Sequence, residues 1–453
     1  MSVDPSAASS LAEASRLIRA GRLSAVELTR NCLETIDRLQ PHLGAFVTLL
    51  EDSALAAARV ADVEIERGAW RGPLHGIPLG IKDVIDVAGV PTSAQSRQMR
   101  GYMPTRNAGA VDKLLAAGAI VLGKLTCHEF AFGPPVFGEC GPVARNPWNV
   151  QHFAGGSSSG AAVAIASGML PGALGSDTAG SVRSPAALCG IVGFKPGGSR
   201  IDQRGTLPLA PSLDALGPMA RTVEDCGLIY QSLLCSAGQA QPYDLTLQRA
   251  LRVGVARSFF NDQSPLQAQG REAIEAALEM FGRLGHCVVD VDLPPLRDWN
   301  AAGMVILLSE AFACHEHWLR TRPHDYGPAL HDALLLGATL SAADYVRAME
   351  SRLLMTRKLD LEMEHVDILI APIQAGQAPR LDQLNNWGFL ETPSFGVAFN
   401  LSDNPALSLC CGFGDQGLPL GLQLIGRRHD ELTVLQAAQA YERSCDWYLR
   451  RPD

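Results

Sequence analysis

No stretch of this 453-residue sequence is apolar over the roughly 18 residues that a membrane helix needs, so no membrane partner is expected. Basic residues are scarce: 38 Lys and Arg stand against 47 Asp and Glu, for a net charge of −9. Neither sign is gathered into blocks, and such a surface offers little to a nucleic-acid backbone, so no nucleic-acid partner is expected either. There is no C-x-x-C and no H-x-x-x-H. The nearest approach to a ligand set is "CHEH", Cys314 to His317, which would need a third ligand from elsewhere and reads as structural. No metal and no cofactor are expected. The first residues, "MSVDPSAASSLAEASRLI", lack the basic and unbroken apolar regions of a secretory leader, which points to the cytoplasm. Eleven scattered cysteines, with Cys410 and Cys411 adjacent, suit free thiols in a reducing compartment rather than a disulfide framework. No fixed-period repeat and no long Pro/Ser/Gly-rich linker divides the chain, so residues 1–453 are read as one domain.

What is present is core-forming: 47% of residues are hydrophobic and 19% charged, enough to bury a large interior. "SAVELTRNCLETIDRLQ" and "EDSALAAARVADVEIERG" carry apolar residues at helical spacing, with Ser24 and Asp52 placed to cap them. "GAVDKLLAAGAIVLGKL" reads as a helix ending near Gly118 followed by a strand through Ile120, Val121 and Leu122. "LRVGVARS", "GREAIEAALEMFGRLG" and "HCVVDVDLP" read as strand, helix, strand, which feeds a parallel pair. The fold class is therefore α/β. From about residue 236 to 363 long helical patterns dominate, a helical excursion over part of the sheet.

The stretch "FAGGSSSGAAVAIASGMLPGALGSDTAGSVRSPAALCG", Phe153 to Gly190, puts glycine and hydroxyl groups into what otherwise reads as core. A flexible linker would not run straight into the apolar helix "AAVAIASG". A phosphate-binding loop would carry a lysine where Ala161 stands. Tight glycine turns that converge backbone N–H groups on one point beside a serine remain, a design suited to a developing oxyanion. "SDTAGSVR" repeats the device, with Thr178, Ala179, Gly180 and Ser181 ahead of a second helix start. The competing reading, that the glycines only let helices pack closely, is weaker for two such loops than for one. A nucleophilic serine needs a base. His152 is near but has no evident carboxylate partner. Lys82, in the apolar run "PLHGIPLGIKDVIDVAG", is the alternative. Its pKa would have to fall from about 10.4 to about 7, a cost near 4 kcal/mol that burial can impose.

"GIPLGIKD", "AGGSSSGAAVAIASG", "GSDTAGSVRSPAALCGIVGFKP" and "NPALSLCCGFGDQGLPLGLQLIG" together resemble the amidase signature family, in the expected order and over essentially the whole chain. The resemblance implies a large mixed, mostly parallel β-sheet flanked by helices on both sides. It implies a catalytic lysine at Lys82, a serine preceded by a cis peptide at Ser157, and a nucleophile at Ser181. The oxyanion hole falls on the N–H groups of Thr178, Ala179, Gly180 and Ser181, with Ala179 where many members have glycine. A backbone donor survives that change if φ stays negative.

Ser158, Asp177 and Arg183 take supporting positions, with Ser158 and Thr178 bonding within the relay and Ser159 belonging to the turn. Arg183 is read as bracing the site, with a substrate carboxylate as its alternative partner. Phe132 and Gly133 fall where relatives line the acyl pocket. Pro134, Pro135 and Gly138 depart from the Ser, Thr and Asn usual in that loop. The implied activity is hydrolysis of a small-molecule amide to acid plus ammonia or amine, through an acyl-serine. Two alternatives stand beside it: the glutamine-dependent subunit of a transfer-RNA amidotransferase, and a catalytically silent binding protein on the same fold. A homodimer is common among relatives.

Overall fold

The computed structural model describes residues 10–138, 140–234, 243–260 and 266–452. Residues 236–242, where the helical excursion is expected to begin, lie outside them. The strands are β1 (Phe46–Leu49), β2 (Pro78–Lys82), β3 (Ile120–Leu125), β4 (Gly172–Asp177), β5 (Val192–Lys195), β6 (Ala215–Ala220), β7 (Arg252–Val255), β8 (Cys287–Asp290), β9 (Ile368–Pro372), β10 (Ala406–Phe413) and β11 (Pro419–Gly426). They form one 11-stranded sheet in the order β1-β3-β2-β4-β6-β5-β10-β11-β9-β7-β8.

The sheet is mixed as expected, but not mostly parallel: of its ten adjacent pairs, four are parallel and six antiparallel. The parallel pairs lie toward the two flanks, where helices connect the strands. The middle, from β4 to β9, is antiparallel throughout, and only one of its pairs is closed by a tight turn. β10 and β11 turn through Gly414–Leu418, with Gly417 at φ +71°. The strand–helix–strand segment reads out as expected: β7, the helix Ala268–Arg283 and β8, with the two strands parallel. The helices Leu296–Thr321, Pro328–Thr339 and Ala342–Met363 follow.

Alternation along the strands divides the core between two faces. Leu174 and Leu216 pack into one hydrophobic cluster, Ala173 and Met219 into another that takes in the helices Ala25–Leu43, Glu51–Glu66 and Ser159–Ala166. The Ala25–Leu43 helix begins with a capping box: Ser24 Oγ accepts from Glu27 N at 3.0 Å, and the Glu27 carboxylate accepts from Ser24 N at 2.8 Å. Asp52 does not cap its helix. β1 runs directly into the helix, Leu50 N still bonds across the sheet to Leu122 O, and Leu50 becomes the cap residue. Asp52 lies in the first turn instead, where its charge favours the helix dipole.

β2 ends at Lys82 and β4 at Asp177, and the two strands are parallel neighbours in the register Ile81↔Leu174. Both carboxyl ends therefore open on the same side, the edge at which open α/β sheets place their ligands. Among the described residues no helix is long and apolar enough to cross a membrane, and no group of three or more His, Cys, Asp or Glu is placed to hold a metal.

Candidate active site

Lys82 is fully buried, and its Nζ donates to Ser157 Oγ at 2.8 Å, to Ser176 Oγ at 2.9 Å and to Ser176 O at 3.2 Å. Among the described residues it has no carboxylate partner. Burial brings its ammonium down to about 8, against the opposing pull of Cys127, Asp177 and Asp214.

The Gly156–Ser157 peptide bond is cis. Ser157 and Ser158 precede the wholly buried helix Ser159–Ala166. Gly155 holds φ +78° where a Cβ would meet Pro185 Cα at 2.5 Å, so only glycine lets the loop lie this close to the next helix. The two serine segments are bonded together, Ser158 N donating to Ser181 O at 3.1 Å. Ser158 Oγ donates to Ser176 O at 3.1 Å, so Ser158 bonds to β4 and not to Ser157 or Ser181 through its hydroxyl. The Thr178 hydroxyl likewise bonds elsewhere than to the two serines, its Oγ1 donating to Asp214 Oδ1 at 2.6 Å. Burial raises the Asp214 carboxyl to about 6 despite that bond and those from Leu209 and Ala210 N–H.

Ser181 is half-buried, and its Oγ makes no hydrogen bond among the described residues. Of the four N–H groups expected to line an oxyanion hole, that of Gly180 is committed elsewhere: it donates to Asp177 Oδ1 at 2.8 Å. The N–H groups of Thr178, Ala179 and Ser181 remain. Ala179 stays outside the positive-φ region, while Gly180 takes the turn at φ +119°.

Asp177 and Arg183 are both fully buried and paired, with Arg183 Nε to Asp177 Oδ2 at 3.0 Å and a second guanidinium nitrogen to Oδ1 at 2.9 Å. Burial alone would raise the Asp177 carboxyl, but Arg183, Lys195 and the Val182 N–H hold it well below the usual carboxylate range. Arg183 also reaches Gln423 Oε1 at 2.7 Å and Asn400 Oδ1 at 2.6 Å, and Asn400 Nδ2 returns to Asp177 O at 3.0 Å. Arg183 does not line the cavity described next. It braces the turn, and the alternative of a bound substrate carboxylate falls away.

A cavity of about 340 Å³ opens over Ser157, Thr178, Ala179, Gly180 and Ser181, and Phe132 and Gly133 line it. His128 lines it as well. Its Nδ1–H donates to Gly133 O at 2.5 Å and its ring stacks on Phe153, with centroids 5.8 Å apart. Burial brings His128 down to about 4. In "CHEH", His315 is an aromatic-cluster residue: it meets Phe130 edge-on at 4.5 Å and Tyr326 Oη at 2.9 Å.

The sequence reading missed Ser176, Asp214, Asn400 and Gln423. Ser176 had a usable signal, a hydroxyl one residue before Asp177 at the end of an otherwise small and apolar strand. Asn400 and Gln423 come from remote segments and carry no local signature.

The family model for Amidase matches residues 27–435. A glutamyl-tRNA(Gln) amidotransferase subunit of Chloroflexus aggregans is 40% identical, with 96% of each chain covered. Its counterpart in Roseiflexus castenholzii is 37% identical, covering 98% of this chain and 97% of its own. Among solved structures, one described as an amidase superposes with a TM-score of 0.88 at 33% identity, over 96% of this chain and 99% of its own. The peptide amidase of Stenotrophomonas maltophilia does so with 0.82 at 31%, over 99% of each. Fold and likeness together define an enzyme of amide carbon–nitrogen bonds, a hydrolase or an amidotransferase. The chain belongs to the Amidase family, the amidase signature enzymes.

Proposed function

We propose that the protein hydrolyses the amide bond of a small molecule through an acyl-serine intermediate on Ser181. The observation that carries this reading is the buried contact of Lys82 Nζ with Ser157 Oγ at 2.8 Å, beside a cavity that holds both Ser157 and an unbonded Ser181 hydroxyl. Neutral Lys82 takes the Ser157 proton, Ser157 Oγ takes that of Ser181, and Ser181 Oγ adds to the amide carbonyl. The Ser157–Ser181 hydrogen bond forms in the substrate complex, as such bonds often tighten only there. The N–H groups of Thr178, Ala179 and Ser181 receive the oxyanion. The proton returns through Ser157 to the nitrogen, which leaves as ammonia or amine. Water then adds to the acyl-serine by the same relay, giving the acid and free Ser181.

A second reading, the glutaminase component of a transfer-RNA amidotransferase, is favoured by the names of the bacterial relatives at 37–40% identity. Both readings use the same nucleophile, and one labelling experiment tests it. A fluorophosphonate is expected to modify the wild type and not Ser181→Ala, and wild type is expected to release ammonia from an amide. Labelling that persists in Ser181→Ala overturns the assignment.

A further inference from the structure

The cavity over Ser181 contains no Asp, Glu, Lys or Arg side chain among its described lining residues. Its apolar lining includes Phe132, Phe153, Met304, Leu307, Ile373 and Phe395; its polar lining is His128, Ser157, the serine turn, Ser184, Gln374, Thr392 and Ser394. Part of that polar lining is already committed. Gln374 bonds Ser184, and Ser394 Oγ donates to Ala179 O at 2.8 Å. The titratable imidazole, His128, points its Nδ1–H at Gly133 O and is neutral at physiological pH. Of the nearby charged groups, Asp177 pairs with Arg183 and Glu129 accepts from Gly327 N at 3.0 Å, while Lys82 lies behind Ser157, outside the lining.

From this lining we infer that the substrate is an amide with an uncharged, apolar acyl group, and that free glutamine is excluded. The inference rests on the proposed amide hydrolysis at Ser181 and narrows it. Free glutamine is a zwitterion, and its ammonium and carboxylate would enter the cavity without counter-charges, at the full cost of desolvation. An alkyl or aryl group loses nothing there and gains from every methylene it buries.

Two measurements decide the point. In steady-state hydrolysis, kcat/KM is expected to rise about fourfold per methylene from propionamide to hexanamide, and phenylacetamide is expected to exceed L-glutamine and succinamate by at least about 100-fold. A flat series, or glutamine within tenfold of phenylacetamide, overturns the inference. Calorimetry on Ser181→Ala asks the same question without turnover: phenylacetamide should bind more tightly than glutamine. Glutamine binding equally or better, or neither ligand binding, overturns it. Failure of fluorophosphonate to label the wild type would instead count against the hydrolytic reading, with the calorimetric ranking still deciding what the cavity accepts.

Discussion

Lys82 and Lys124 sit on adjacent strands, both without solvent, and only Lys124 has a carboxylate partner among the described residues. Lys124 Nζ lies 2.9 Å from Asp83 Oδ1 in a buried ion pair, whereas Lys82 faces hydroxyl and carbonyl oxygens. Burial, with no carboxylate beside it, brings Lys82 down to about 8. In the proposed mechanism neutral Lys82 is the active form, so kcat/KM should fall about tenfold per pH unit below pH 8 and level off above it. Lys82→Met should lower kcat about 10²- to 10⁴-fold across that range. Ser176→Ala removes an acceptor that favours the ammonium, so the acid limb should move to lower pH; a limb that stays or moves up contradicts the assignment. Asp177→Asn strands the Arg183 charge in the interior and should cost about 3–5 kcal/mol in urea unfolding.

At the scale of elements, the Ser159–Ala166 helix shows where propensity loses to packing. Gly160 lies within it, and alanine there gains about 1 kcal/mol in helix propensity. Yet its Cβ would stand 2.3 Å from Ala45 O and 2.5 Å from Thr126 N, backbone atoms with no room to yield. Gly160→Ala should therefore lower the melting temperature, not raise it. The same contrast explains what the sequence disclosed. Helices with caps and periodic faces, such as Ala25–Leu43, and the strand–helix–strand of β7 and β8 were legible because their signals are local. Lys82 and Ser181 stand out in the sequence against apolar or glycine-rich neighbours, whereas Ser157, the first of three consecutive serines, is singled out only by the family resemblance. The direction of the central strands was not, since pairing is decided by contacts across the chain. The commitment of the Gly180 N–H to Asp177 was hidden too, because it depends on how a turn folds back on the end of β4.

Across the whole molecule, buried carboxyl groups tie both ends of the chain to the centre. The N-terminal helix Leu11–Arg19 is held by Ala12 N donating to Asp225 at 2.8 Å. The helix that carries Asp225 is held in turn by Val223 N donating to Glu442, on the C-terminal helix, at 3.0 Å. Burial raises Asp225 to about 6 and Glu442 to about 8, whereas an unfolded glutamate ionises near about 4.3. With the folded value above the unfolded one, the stability Glu442 contributes is full below the unfolded pKa and is lost as pH rises through about 8. Glu442→Gln should accordingly gain stability relative to wild type between pH 5 and pH 8.5, read as the urea midpoint at each pH.

The uncharged lining of the cavity also gives the reaction a direction. The proposed hydrolysis turns a neutral amide into a carboxylate, so the product acquires at the moment of its formation a charge that meets the turn's N–H groups but no basic side chain of the lining. The site then holds its product less well than its substrate and clears itself after each turnover, without a lid or a second binding event. Phenylacetate should be a poor competitor of phenylacetamide, with an inhibition constant at least about ten times the KM, and the enzyme should keep its initial rate as acid accumulates.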